Sequence, residues 1–190
     1  MKYFQKTDSD DLDVIVKLVN SAYRGIEGSR RWTTEAHLVQ GDRLVLEDLR
    51  RLITSQDTEF YVGYLDENLI SCIAIKKYGA ITEFGTFAVD PNLHGLGYGK
   101  DLLSFAESKA STYSSIFQVT VVSQNSDLVR FYQRRGYKVT GQRLAYPTEQ
   151  NVGKPKIKNI DLTVLQKKRI TSCSSRRRYA PRLNSSVRPH

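Results

Sequence analysis

Gly95, Gly97 and Gly99 stand at alternate positions in the stretch Val89-Asp90-Pro91-Asn92-Leu93-His94-Gly95-Leu96-Gly97-Tyr98-Gly99-Lys100-Asp101-Leu102-Leu103. An apolar run, Phe84 to Val89, leads into them, and an amphipathic helical pattern follows at once. A strand, a glycine loop and a helix start together make an anion trap. The first N–H groups of a helix lack intrahelical acceptors, and the helix dipole adds partial positive charge there. Glycine lets the chain turn sharply and lets a phosphate approach without meeting a Cβ. The spacing excludes two common phosphate loops. A dinucleotide fingerprint needs G-x-G-x-x-G, whereas the run here is G-x-G-x-G. A P-loop needs G-x-x-x-x-G-K-[ST], but His94 occupies its first glycine position and Asp101 its hydroxyl position. A glycine turn without a ligand is the plain alternative. Three glycines at a helix start, however, cost conformational entropy that packing alone rarely demands.

The segment resembles motif A of the GNAT superfamily of acyl-CoA-dependent N-acyltransferases: a strand, Val-x-Pro, then [QR]-x-x-G-x-[GA] and a helix. Val89-Asp90-Pro91 and His94 to Gly99 fill it, with His94 at the usual Gln or Arg position. A neutral imidazole still donates a hydrogen bond but lacks the permanent charge of Arg. A second stretch, Asn125 to Tyr137, resembles the family's motif B, N-x-x-A-x-x-x-Y-x-x-x-G-[FY]. Its Asn125-to-Tyr132 and Tyr132-to-Gly136 spacings both fit. Two motifs in the right order are far more specific than either alone, and the resemblance spans roughly Lys2 to Lys168.

That resemblance implies a substrate and a set of roles. Acetyl-CoA is the implied co-substrate, with no metal. The main chain of Phe87 and Val89 pairs with the pantetheine amides as an added strand would. The glycine loop, His94 and Gly95 through Leu96, Gly97, Tyr98, Gly99 and Lys100, holds the diphosphate chiefly by backbone N–H groups. Asn125 resembles the family's polar contact to the pantetheine arm. Arg134 and Arg135 either neutralise the adenosine phosphates or are solvated surface residues.

Acyl transfer from a thioester to an amine requires a deprotonated amine, donors for the developing oxyanion and a proton for the leaving thiolate. Glu83, on the strand entering the loop, matches the place where some family members carry a catalytic glutamate. A partly buried carboxylate there can take the amine proton. Its bland alternative is an exposed strand residue. Tyr132 matches the family's general acid. A phenol has a reference pKa of ~10, close to that of an alkyl thiol, so proton transfer to the CoA sulfur is nearly balanced. Its alternative is plain aromatic packing, like its neighbour Phe131. The loop from Tyr23 to Thr33 sits where the family builds its acceptor side. Tyr23, Glu27 and Trp32 are the candidate acceptor contacts. Trp32, the only tryptophan, is either a substrate wall or a cap on the core. Glu27 suits an ammonium, whereas Arg24, Arg30 and Arg31 suit an acidic group on the acceptor or CoA itself. No acceptor narrower than a primary amine of a small molecule or peptide follows.

The elements that must hold these groups are legible by periodicity. Leu12, Ile15, Val16, Val19, Ala22 and Tyr23 predict a helix over Asp11 to Tyr23. A short helical segment is expected from Thr34 to about Gly41, and another helix over Leu44 to Thr54. Strands are expected at Glu59 to Leu65 and Leu69 to Lys76 about the turn Asp66-Glu67-Asn68. A further strand runs Ile81 to Val89, followed by a helix from Gly99 to Thr112. Then come a strand Ile116 to Val122, a helix Ser126 to Arg135 and strands Gly136 to Leu144 and Ile157 to Leu165. The expected fold is α/β, a mixed, mostly antiparallel central sheet flanked by helices, as in the GNAT proteins.

Bulk composition sets the remaining bounds. The chain has 190 residues, of which 39% are hydrophobic, enough for one domain with a core. The expected division is a domain over residues 1–168 and a basic, disordered tail over 169–190. The net charge of +9 is concentrated in that tail, where Arg169, Arg176, Arg177, Arg178, Arg182 and Arg188 meet no acids. No apolar run approaches the ~18–20 residues of a membrane span, and the polar N-terminus does not look like a signal peptide. Cys72 lies in an apolar run and Cys173 in the tail, so no disulfide is expected and the cytoplasm is the expected compartment. No Cys/His cluster has zinc-site spacing. The chain reads as a monomer or homodimer with no specific nucleic-acid or membrane partner. Two alternatives stay open: a CoA-binding module without catalysis, and a binder of nucleic acid or anionic surfaces through the tail.

Overall fold

Apolar runs, buried nearly continuously in some strands and alternately in their neighbours, build a seven-stranded sheet. In the computed structural model, which describes residues 2–7, 11–25 and 34–169, the strands are β1 (Lys2–Lys6), β3 (Thr58–Leu65), β4 (Asn68–Tyr78), β5 (Ile81–Val89), β6 (Ile116–Val122), β7 (Lys138–Ala145) and β9 (Asp161–Lys168). Their order is β1-β3-β4-β5-β6-β9-β7. Only the β5–β6 pair is parallel, so the sheet is mixed and mostly antiparallel, as expected. Helices α1 (Leu12–Arg24) and α2 (Leu46–Thr54) cover one face. They pack Ile15, Val19 and Leu49 on Phe60, Val62, Cys72 and Ala88. Helices α3 (Tyr98–Ala110) and α4 (Ser126–Gln133) belong to the other face, where Leu102, Leu103, Ala106 and Phe131 meet Tyr61, Ile73, Phe84, Val119 and Val121. Among the described residues no helix is long and apolar enough to cross a membrane.

Three expectations are corrected. The segment Thr34 to Gly41 is not helical. Its amides of Leu38 and Val39 both reach back to the Glu35 carbonyl, at 2.8 and 2.9 Å, making a single turn. The chain then extends as β2 (Val39–Gln40), paired antiparallel with β8 (Lys154–Pro155). Leu38 and Val39 are both buried, which a two-residue strand wedged into a third small core satisfies better than a helix with one apolar face. The polar N-terminus hides an edge strand, β1, held on β3 and seated by Phe4 against Phe105 at 4.7 Å between ring centroids. The last strand begins at Asp161 rather than Ile157, which is exposed. The tail from residue 170 lies outside the described residues. Arg169 is still tied in, its N–H donating to the Ser115 carbonyl at 2.9 Å.

Two irregularities in β5 shape the site. The β5–β6 pairing runs from Ile81↔Ile116 to Phe84↔Val119 and stops, so the strands part beyond it. On the other edge the β4 register goes from Ala74↔Gly85 to Cys72↔Ala88, two residues on β4 against three on β5. This is a β-bulge, and Thr86 sits in it with φ +43°. Positive φ is an outlier for a β-branched residue and marks local strain. The extra residue reverses the facing of the strand. Phe84 and Phe87, three apart, both pack on the α3–α4 side, where an unbroken strand would send them to opposite faces. Ala88 turns to the α1 side.

Candidate active site

The parted strands open a cavity of about 590 Å³ that reaches both faces of the sheet. Gly85 to Val89 form one wall and Thr120, Val121 and Val122 the other. Past Phe84, β5 has no β6 partner, so its main chain on that side is an open sheet edge. The glycine loop closes one end, where His94, Gly95, Gly97, Tyr98, Gly99 and Lys100 line the cavity. Pro91–Leu93 forms a single 3₁₀ turn, with the Asn92 amide donating to Asp90 Oδ1 at 2.8 Å. Gly97 then takes a left-handed conformation, φ +89°, and starts α3 with no side-chain cap. A Cβ at Gly95 or Gly97 would meet no atom within 4 Å, so open space lies above the loop. The first-turn N–H groups of α3 are thus presented to that space with the helix dipole behind them.

Glu83 and Tyr132 enter from opposite faces. Glu83 precedes the bulge, pointing away from the Phe84 side and hence to the α1 face, where Thr120 Oγ1 donates to its Oε1 at 2.7 Å. That bond leaves Oε2 and the remaining lone pairs for other work. Tyr132 comes from α4 and is 3% exposed. It is gripped by Phe131, Tyr137 and Phe87 at centroid distances of 5.1, 5.5 and 6.3 Å. Its hydroxyl makes no hydrogen bond among the described residues, and the residue lines the cavity. Burial pushes its pKa far above that of a free phenol. The Tyr23 phenol adds to the rise and the Arg135 guanidinium opposes it.

Tyr23 lines the α1 end of the same cavity, its pKa raised to about 12 mainly by burial. Beside it stand three residues that the sequence did not single out: Glu35, Arg43 and Tyr146. Glu35 is 5% exposed, and burial raises its pKa against the pull of Arg24. Arg24 Nη1 bonds Glu35 Oε2 at 3.1 Å, while its Nε and Nη2 donate to the carbonyls of Gly41 and Val152 at 2.9 and 2.6 Å. One guanidinium therefore clamps α1, the end of β2 and the 146–152 segment together. Tyr146 Oη donates to the same Val152 carbonyl at 2.8 Å.

Among the expected site residues, Glu83, Phe87, Val89, His94, Gly95, Gly97, Tyr98, Gly99, Lys100, Tyr132 and Tyr23 all line this one cavity. Leu96 does not: its side chain is 65% exposed, and its amide reaches only the Leu93 carbonyl at 3.4 Å. Asn125 is not on the wall either. Its Oδ1 accepts from the Leu128 amide at 3.2 Å, the N-cap of α4, and its Nδ2 is buried without a partner among the described residues. Glu27 and Trp32 lie outside the described residues. Glu35 and Arg43 carried no sequence signal because they sit in irregular connections, where no periodicity marks a face.

Sequence comparison with family profiles matches residues 33–146 to one described as an acetyltransferase (GNAT) domain. The chain belongs to the GNAT acetyltransferase family. The match covers more than half of the chain and takes in both motifs, the β5 bulge and most of the cavity lining. Comparison with curated proteins finds no match. Solved structures agree with the GNAT fold. A GNAT family acetyltransferase from Elizabethkingia anophelis with acetyl-CoA bound superposes with a TM-score of 0.63 at 16% identity, covering 88% of this chain and 97% of that one. The PaiA N-acetyltransferase from Thermoplasma acidophilum in complex with coenzyme A gives 0.63 at 21% identity, covering 89% and 99%. An acetyltransferase from Bacillus subtilis in complex with CoA gives 0.65 at 15%, covering 90% and 100%.

Proposed function

We propose that the protein is an acetyl-CoA-dependent N-acetyltransferase that acts on a primary amine by direct attack in a ternary complex. The observation that carries this reading is the cavity through the sheet, with the Glu83 carboxylate on the α1 face and the Tyr132 phenol on the α4 face. A base and an acid on opposite sides of one gap suit a reaction in which a bond forms on one side of a carbonyl carbon and breaks on the other.

The residues present fit coenzyme A. The open edge of β5 offers main-chain groups for the pantetheine amides, in the manner of an added strand. The uncapped N-terminus of α3 and the unobstructed glycines suit a diphosphate. Lys100, Arg134 and Arg135 add positive charge along the same wall. When bound, acetyl-CoA supplies the activated acyl group as a thioester.

Glu83 takes the proton of the incoming ammonium, its carboxylate aimed by Thr120. The free N–H groups of the β5 edge are the donors available to the developing oxyanion. As the N–C bond forms and the C–S bond breaks, the Tyr132 hydroxyl gives its proton to the sulfur; the second proton of the attacking nitrogen and the one held by Glu83 pass to solvent, from which Tyr132 is reprotonated, so one proton is released per transfer. A phenol raised by burial remains a suitable acid because apolar surroundings also raise the proton affinity of the departing thiolate. Cys72, in the core on the α1 side, is fully buried and raised to about 12. That places Cys72 out of reach as a nucleophile, in keeping with transfer that has no acyl-enzyme stage.

The test is an acceptor screen. The protein is incubated with acetyl-CoA and a panel of primary amines, free thiol is followed, and products are weighed by mass spectrometry. Thiol release matched by acetylated amine is the expected result. Binding of CoA with no transfer to any amine would instead identify a CoA-binding module.

A further inference from the structure

We propose that Arg43 is the anion-recognition residue of the acceptor side, and that the acceptor is a small amine bearing a carboxylate. This inference rests on the acetyl-transfer reading above and narrows its substrate class. Arg43 lies in the connection between β2 and α2 and lines the cavity on the α1 face, the face of Glu83. Its position is fixed from two sides. Asn20 of α1 accepts the Arg43 and Leu44 amides on Oδ1, at 2.7 and 3.0 Å, and donates Nδ2 to the Leu44 carbonyl at 2.9 Å. The guanidinium carbon lies 5.2 Å from the centroid of the Tyr23 ring, a cation–π distance.

Among the described residues Arg43 lacks an anion. Two carboxylates among them line the cavity, Glu35 and Glu83. Glu35 is already bonded by Arg24 at 3.1 Å in a pair whose side chains are only 11% and 6% exposed. Glu83 takes the Thr120 hydroxyl. No ion pair to Arg43 forms among the described residues. Its charge is nevertheless felt across this end of the cavity, lowering the pKa values of Tyr23, Glu35 and Tyr146 against their burial. A half-buried guanidinium with no directly bonded carboxylate among the described residues is costly, and a planar carboxylate is the group its fork of donors fits best.

Two observations fix the class of ligand. The cations suited to the CoA phosphates, Lys100, Arg134 and Arg135, belong to α3 and the end of α4, across the sheet from Arg43. Arg43 is therefore left for the acceptor. The α1 end is also walled. Tyr146, Pro147, Gln150 and Val152 line it, and Arg24 ties that segment down through the Val152 carbonyl. A wall there suits a compact molecule rather than an extended peptide. An amine for Glu83 and a carboxylate for Arg43 on one small skeleton satisfy both groups.

Matched pairs test this: each common amino acid against its carboxamide, compared at equal free-amine concentration by thiol release. The wild type is expected to favour acids over amides by about 10-fold or more in kcat/KM. Arg43→Gln should bring that ratio near one by raising KM for the acids about 10- to 100-fold, with little change in kcat. Arg43→Lys should restore part of it. Equal use of acids and amides by the wild type, or an equal loss on both in Arg43→Gln, would overturn the proposal. Calorimetric titration of the same amino acids into CoA-saturated protein separates this inference from the chemistry. Binding that vanishes in Arg43→Gln supports the carboxylate site even where no thiol is released. Absence of heat from every acid refutes the site whether or not amides are acetylated.

Discussion

Replacing Tyr132 by Phe removes one oxygen from a residue that is otherwise held by its ring. The ring contacts to Phe131, Tyr137 and Phe87, 5.1 to 6.3 Å between centroids, all survive the change. The lost hydroxyl has no hydrogen-bond partner among the described residues, so no acceptor or donor is orphaned. Burying a hydroxyl without a partner costs about 1–3 kcal/mol. The variant is therefore expected to be as stable as the wild type or slightly more so. Activity should move the other way. A positioned general acid contributes typically 10²–10⁴-fold, so kcat should fall by about 10²-fold or more, equivalent to roughly 2.7 kcal/mol of barrier.

The assay pairs steady-state thiol release with thermal unfolding. The expected signature is a large loss in kcat, little change in KM for acetyl-CoA and a Tm at or above that of the wild type. Retention of wild-type kcat would refute the role of Tyr132 as the acid. A loss of activity that follows a fall in Tm would show that the residue acts only by packing.

Two further perturbations probe the cofactor end and the buried phenols. Gly97→Ala forces a Cβ into a left-handed position, φ +89°, at a cost of about 1–2 kcal/mol. Because that Cβ points into the open space above the loop, affinity for CoA should fall by about 10-fold or more, and unchanged calorimetric affinity would remove the loop from the diphosphate site. Tyr23 and Tyr61 are raised to about 12 by burial, and Tyr132 and Tyr137 are raised beyond the ordinary phenol range. Folded phenols then hold protons that the unfolded chain releases from pH ~10 upward, so their contribution to stability is intact below pH ~10 and declines from there toward their folded values. Phenolate absorbance should therefore rise together with loss of near-ultraviolet circular dichroism above that pH. Full ionisation of all tyrosines in protein that keeps its fold would contradict the burial argument.

The chain order of helices and strands was legible because it is written in local periodicity. Leu12, Ile15, Val19 and Ala22 recur at helical spacing, and β3 and β4 flank the Asp66-Glu67 turn. Motif spacing likewise located Glu83, the glycine loop and Tyr132, since strand, loop and helix geometry there depends on near neighbours. Short elements escaped. β1 carries only Phe4 as an inward anchor, and β2 with β8 pairs just two residues a side, too few for any period to show.

By itself, then, the sequence determined which residues were eligible for chemistry and which elements would carry them. Only the tertiary structure decided how they face one another. The three-for-two slip at Thr86 turns β5 over, putting Glu83 on one side of the sheet and Phe87 beside Tyr132 on the other. The parting of β5 from β6 joins those sides, and Arg24, by bonding Glu35, leaves Arg43 without a carboxylate partner among the described residues. Such outcomes depend on contacts between segments tens of residues apart, and no local pattern encodes them.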